Sequence, residues 1–141
     1  MSIAAVTTDI NIGPFKIPSN GQGMIINNYA NRNNLLIDLT IPEPMSSNAL
    51  ATVQWMKRKY KIKKIILCSI HQLPFKKKEY KIFISNMQNV EFHFALEGIK
   101  GKGKNFLLQH IKEANIFRKA QIINSKENDW IDLYNLVQKK K

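Results

Sequence analysis

The chain has one cysteine, Cys68, and only three arginines, Arg32, Arg58 and Arg118, among its 141 residues. A lone cysteine excludes an internal disulfide and a cysteine-rich zinc site, and it suits a reducing compartment. It falls within an apolar run, where a small buried hydrophobe is the ordinary reading. Scarce arginine argues against nucleic acid as the partner, because bidentate reading of bases and phosphates is chiefly arginine work. No apolar run approaches the ~18–20 residues needed to cross a bilayer. The N-terminus lacks the basic start and long apolar core of a signal peptide, so a cytoplasmic protein without a membrane span is expected. His71, His93 and His110 lack the close spacing of a metal-binding helical pair.

What is abundant is lysine. Lys+Arg of 22 against Asp+Glu of 10 gives a formal charge of +12, which favours anionic partners. The lysines cluster at 57–64, 76–78, 100–104 and 139–141. Solvated surface is the bland explanation. Lysine, asparagine and isoleucine are common together, as a codon bias toward A and T would also produce.

The size fits one domain with a single core. The stretch 64–74 organises it: Ile65, Ile66, Leu67 and Cys68 run without charge, followed by Ser69, His71 and Gln72, before Pro74 ends it. A short β-branched apolar run between breakers reads as a strand buried on both faces. Before it, 2–8 reads as a first strand and 35–41 as a second, broken by Pro42 and Pro44. A helix between them starts at Ser19 or Asn20 and carries Gln22, Ile25, Ile26, Tyr29 and Ala30 at helical spacing. A cap within 46–48 opens a helix with Ala49, Leu50, Val53, Met56 and Tyr60 on one face. After Pro74, Tyr80, Phe83, Ile84 and Met87 form another stripe. A fourth strand is expected over 90–96, then a glycine loop at 98–105, then a helix with Leu107, His110, Ile111 and Ala114 in register. A linker over 115–124, containing a short strand at 120–123, leads to a final amphipathic helix from Ser125 with Trp130 and Tyr134. Strands alternating with helices at roughly 30-residue intervals indicate βαβ units. The expectation is one α/β domain over 1–141: three layers, doubly wound, with a mostly parallel sheet of four or five strands in the order 2-1-3-4. The part from 115 onward is read as a linker and a helix through which two copies could pair.

In such a sheet the carboxyl ends of the strands form the ligand edge. That edge gathers Thr7, Thr8 and Asp9 with Glu43, then Ser69, His71 and Gln72, then Glu97. His71, Glu97 and Glu43 are the candidates for acid–base chemistry, since a histidine beside carboxylates titrates near neutrality. Thr7, Thr8, Asp9, Ser69 and Gln72 are candidates for binding hydroxyls. The competing readings are a hydrogen-bonded structural histidine and turn-capping carboxylates. Gly98, Gly103 and Lys104 fit the spacing of a phosphate-binding loop between strand and helix. Asn105, however, stands where a magnesium-binding hydroxyl belongs, and a solvated lysine loop is the alternative. His93, alternating with Phe92 and Phe94, reads as sheet-face packing.

Several phrases occur in order: Ile17-Pro18, the run from Asn28 to Leu35, Ser69-Ile70-His71-Gln72-Leu73-Pro74, and Phe92-His93-Phe94-Ala95-Leu96-Glu97. On these the chain resembles the sporadic carbohydrate cluster protein family, small bacterial proteins encoded among surface-polysaccharide genes. The likeness spans roughly residues 1–100. It implies a role in making or modifying a cell-surface glycan, with a sugar or sugar phosphate as ligand, but supplies no reaction. In topology the chain is also similar to the catalytic domain of serine recombinases. That family carries a nucleophilic serine after the first strand and arginines after the third. Here Thr7-Thr8-Asp9 and His71-Gln72-Leu73-Pro74 stand in those places. The leading expectation is therefore an enzyme or accessory subunit of bacterial surface-carbohydrate biosynthesis. The alternative is a non-catalytic nucleic-acid-binding module on a recombinase-like sheet.

Overall fold

The computed structural model describes residues 2–9, 16–44 and 50–120. Within them the elements are β1 (Ser2–Thr8), α1 (Ser19–Arg32), β2 (Leu39–Glu43), α2 (Ala51–Tyr60), β3 (Ile62–Leu67), α3 (Lys77–Met87), β4 (Glu91–Phe94) and β5 (Ile99–Gly101). A last helix, α4, covers 104–120. The five strands form one sheet in the order β2-β1-β3-β4-β5. The first four are parallel, with Ala4 opposite both Leu39 and Ile65, and Ile65 opposite Phe92. β5 runs antiparallel to β4. The α/β class, the mostly parallel sheet and the 2-1-3-4 order are as the sequence led us to expect.

The central strand is β3. Ile65, Ile66, Leu67 and Cys68 are fully buried, because helices cover both sides of the sheet. On one side Val6, Ile65, Leu67, Phe92 and Phe94 meet Val53 of α2, Phe83 and Met87 of α3, and Leu107 and Ile111 of α4. On the other, Ala5, Ile66 and Ala95 meet Ile26, Tyr29 and Ala30 of α1. The small alanines there let one helix lie close. Burial pushes the Cys68 thiol up to about 11, so it packs as an unreactive hydrophobe.

Several expected boundaries move, among them the fourth strand, which ends at Phe94 instead of Leu96. β2 begins at Leu39 instead of Leu35 and runs through Pro42. Asp38 clamps the segment ahead of it: its N–H donates to the Ile3 carbonyl, and its carboxylate accepts the Ile3 N–H, each at 2.8 Å. Pro42 is tolerated because β2 is an edge strand, where a missing donor costs no ladder bond. β3 stops at Leu67, and Ile70–Gln72 form a single 3₁₀ turn, so the polar residues after Cys68 lie on a turn and not on a strand. The expected glycine loop contains β5, with Gly98 and Gly103 at positive φ on either side of it. The expected linker at 115–120 is helical and continues α4. The cap at 46–48, Ala49, the remainder of the 120–123 strand and the final helix from Ser125 lie outside the described residues.

Candidate functional site at the carboxyl edge of the sheet

The structure brings Thr8, Ser69, Gln72 and Glu97 to one edge of the sheet. Gln72 Nε2 donates to Thr8 Oγ1 at 2.8 Å and to Gln22 Oε1 at 2.9 Å. Gln22, fully buried on α1, accepts the Thr8 N–H at 2.9 Å and donates from Nε2 to the carbonyls of Thr8 and Ile17 at 2.6 and 2.8 Å. Ser69 caps the 3₁₀ turn. Its Oγ accepts the His71 N–H at 3.2 Å, and Gln72 Oε1 accepts the Ser69 N–H at 3.0 Å, a reciprocal capping box. Ser69 Oγ also donates to Glu97 Oε1 at 3.1 Å. Both amide hydrogens of each glutamine are thus engaged, and Thr8, Ser69, Gln22 and Gln72 are all buried. A fully satisfied buried amide network specifies geometry. It ties the ends of β1 and β3 to α1.

Glu43 and Asp9 have local work. Glu43, opposite Thr8 in the β1–β2 register, is buried and accepts the N–H groups of Thr52 and Val53, each at 3.1 Å. It satisfies orphan amides of the first turn of α2, where a negative charge also complements the helix dipole. A carboxylate held this way is fixed by a helix start. Asp9 accepts from Ser19 Oγ at 3.4 Å. Thr7 is buried opposite Pro42.

Two groups on this edge are less committed. Glu97 is exposed, but its carboxylate lies over the turn, taking the Ile70 N–H as well as the Ser69 hydroxyl. Desolvation raises its pKa, outweighing those hydrogen bonds and the nearby His110, which favour the charged form. His71 is half-buried against the Phe117 ring, with centroids 5.0 Å apart. Its Nδ1 is buried without a hydrogen-bond partner among the described residues. Burial, then the Arg118 guanidinium, lower its pKa. The two shifts run in opposite directions, and burial is the leading cause of each.

The glycine loop does not close into a cradle. Gly98 lines a shallow cleft with Tyr29, Arg32, Asn33 and Lys100. Lys104 instead starts α4 and lines a groove against α3. β5 separates them, because Gly101 must lie flat beneath Phe106. A Cβ there would meet that ring at 2.5 Å. Among the described residues, no group of three or more histidine, cysteine or acidic side chains could hold a metal, and no helix is long and apolar enough to cross a membrane.

Sequence reasoning missed Gln22 as a site residue, although a glutamine on an apolar helical stripe was the available signal. It also missed Arg118, which donates to the His71 carbonyl at 2.8 Å and to Asn115 Oδ1 at 2.9 Å and sits 4.5 Å over the Phe75 ring. Leu107, Ile111, Ala114 and Arg118 continue one helical spacing, which extends α4 far enough to carry it. A third omission is the chain Tyr29–His93–Glu91–Lys64. The Tyr29 hydroxyl lies 2.8 Å from His93 Nδ1, Glu91 lies 2.8 Å from His93 Nε2, and Lys64 lies 3.4 Å from Glu91. It pins α1 to β4. His93 therefore packs on the sheet face as a hydrogen-bonded residue.

No family model matches this chain, and no curated protein matches it in sequence. Solved structures do share its fold. The N-terminal catalytic domain of TP901-1 integrase superposes with a TM-score of 0.56 at 10% identity, covering 89% of this chain and 99% of the other. A resolvase family site-specific recombinase from Streptococcus pneumoniae gives 0.58 at 14% identity, covering 94% and 97%. At such identities the likeness establishes the architecture, that of a recombinase catalytic domain.

Proposed function

We propose that this chain is a non-catalytic nucleic-acid-binding module built on a recombinase-like sheet. The observation that carries the reading is the contrast between a closed strand-end edge and an open cationic surface. Thr8 Oγ1, at the end of β1, is buried and accepts from Gln72. Arg118 reaches this edge, but its guanidinium is turned to a backbone carbonyl and a phenyl ring. A phosphoryl transfer needs an activated nucleophile and free cations around the phosphate, and neither stands here among the described residues. The formal +12 remains for binding phosphates. The two structural neighbours, an integrase catalytic domain and a site-specific recombinase, support a nucleic-acid context.

The test is fluorescence anisotropy with labelled DNA and RNA across a salt series, with denaturing gels for covalent adducts. Binding that weakens steeply with salt, and no adduct, is the expected pair of results. Absence of binding at low salt would end this reading, and a covalent protein–DNA species would end its non-catalytic part.

A second reading is favoured by His71 and Glu97. Their opposite pKa displacements and the free Nδ1 of His71 support acid–base handling of a sugar or sugar phosphate in a bacterial surface-carbohydrate pathway. On this reading Ser69 and Gln72 orient the ligand. If His71→Ala and Glu97→Ala variants fold and leave surface glycan unchanged, the reading fails.

A further inference from the structure

A groove of about 680 Å³ lies between α3 and α4. Lys77 and Lys81, one turn apart on α3, form one wall. Lys104 and Lys112, two turns apart on α4, form the other. At a rise of about 1.5 Å per residue the α4 pair spans about 12 Å. Tyr80, Ile84 and Leu108 line the groove between the walls. All four lysines are exposed, and among the described residues none pairs with a carboxylate. Among the described residues, no acidic side chain lines the groove. The nearest acidic neighbour in sequence on α4, Glu113, is turned to His110 and Gln109.

We infer that this groove holds a single strand of nucleic acid, with the lysine walls on its phosphates and Tyr80 and its apolar neighbours against a base. This rests on the nucleic-acid reading above and adds where the strand lies and which form is bound. Charge complementarity selects a polyanion, since four unpaired cations face each other across one trough. The lining selects a single strand. A positive groove combined with an aromatic, apolar surface is how proteins hold unpaired bases, whereas a duplex presents only its phosphates to such a trough.

The experiment measures binding of a 20-nucleotide single strand by the full chain, the same with Lys77, Lys81, Lys104 and Lys112 all changed to Gln, and a control. The control changes Arg58, Lys59, Lys63 and Lys100 to Gln, removing four exposed positive charges outside this groove. The groove variant is expected to lose at least ~10-fold in affinity, and its plot of log K against log salt should flatten by about 3, four contacts at roughly 0.7 each. The control should lose less than about 3-fold. Tyr80→Leu, which keeps an apolar side chain on the core, should cost single-strand affinity about 5-fold or more. Equal losses in the two four-site variants would overturn the assignment to this groove while leaving the nucleic-acid reading intact. Duplex binding as tight as single-strand binding would overturn the form of ligand. A parent chain that binds anionic vesicles but no oligonucleotide would sink both readings together. Unchanged circular dichroism and urea midpoints establish that each variant is folded.

Discussion

The carboxyl edge of the sheet and the α3–α4 groove are both polar, yet their chemistry is opposite. At the edge, Thr8, Gln22, Ser69 and Gln72 turn their hydrogen-bonding groups on one another and are buried. In the groove, four ammonium groups face solvent without partners among the described residues. A polar residue at a strand end is therefore a weak sign of a binding site by itself. What matters is whether its capacity is already taken up. By that measure the edge is mainly architecture, although His71 Nδ1 has no partner among the described residues, and the groove is mainly surface chemistry.

That comparison can be broken from the edge first. Gln22→Ala strips partners from the Thr8 N–H, two carbonyls and Gln72 at once. Each buried group left unsatisfied costs about 1–3 kcal/mol. Water entering the gap offsets part of the sum, so the expected loss is about 3 kcal/mol in urea unfolding. A loss below about 1 kcal/mol would mean the network does not hold the edge together. Gly101→Ala tests the edge strand that replaced the expected loop. The new methyl meets the Phe106 ring, and overpacking of this kind costs about 1–3 kcal/mol. A stable variant would mean that Phe106 can turn aside.

A smaller effect belongs to pH. The pKa of His71 is lowered in the fold, so as pH falls through about 6.5 the unfolded chain takes up the proton first. The stability His71 contributes is present above that pH and is lost below it. The pKa of Glu97 is raised, so its contribution runs the other way, falling as pH rises above about 4.5. His71→Asn should flatten the slope of stability against pH near pH 6.5. A slope identical to that of the parent would assign it elsewhere. Smallest of all, Lys81→Gln should leave stability within about 0.5 kcal/mol, as exposed substitutions usually do. A larger loss would mean that this lysine is structural and that the two regions differ less than proposed.

Much of the fold was legible because it rests on periodicity. The apolar run at Ile65–Cys68 and the helical stripes at Phe83, Ile84 and Met87 and at Leu107, Ile111 and Ala114 are all buried where their spacing places them. The site was less legible. Glu43 reads as an acid–base candidate in sequence because helix capping is sought in the residue just before the helix. Its carboxylate reaches α2 from eight or more positions upstream. Ser69 and Gln72 read as ligands because a sequence does not reveal that they cap each other around one turn. Arg118 falls in the expected linker because Asn115 and the residues after it weaken the apolar stripe.

Alone, the sequence determined the alternation of strands and helices, the order of the parallel strands and the large positive charge, since local propensity and hydrophobic spacing act along the chain. Tertiary structure decided which polar groups remain available. Hydrogen-bond partners 14, 50 and 64 positions apart come together only when the sheet and α1 assemble, and lysines on two helices form a trough only once both helices pack on the same face.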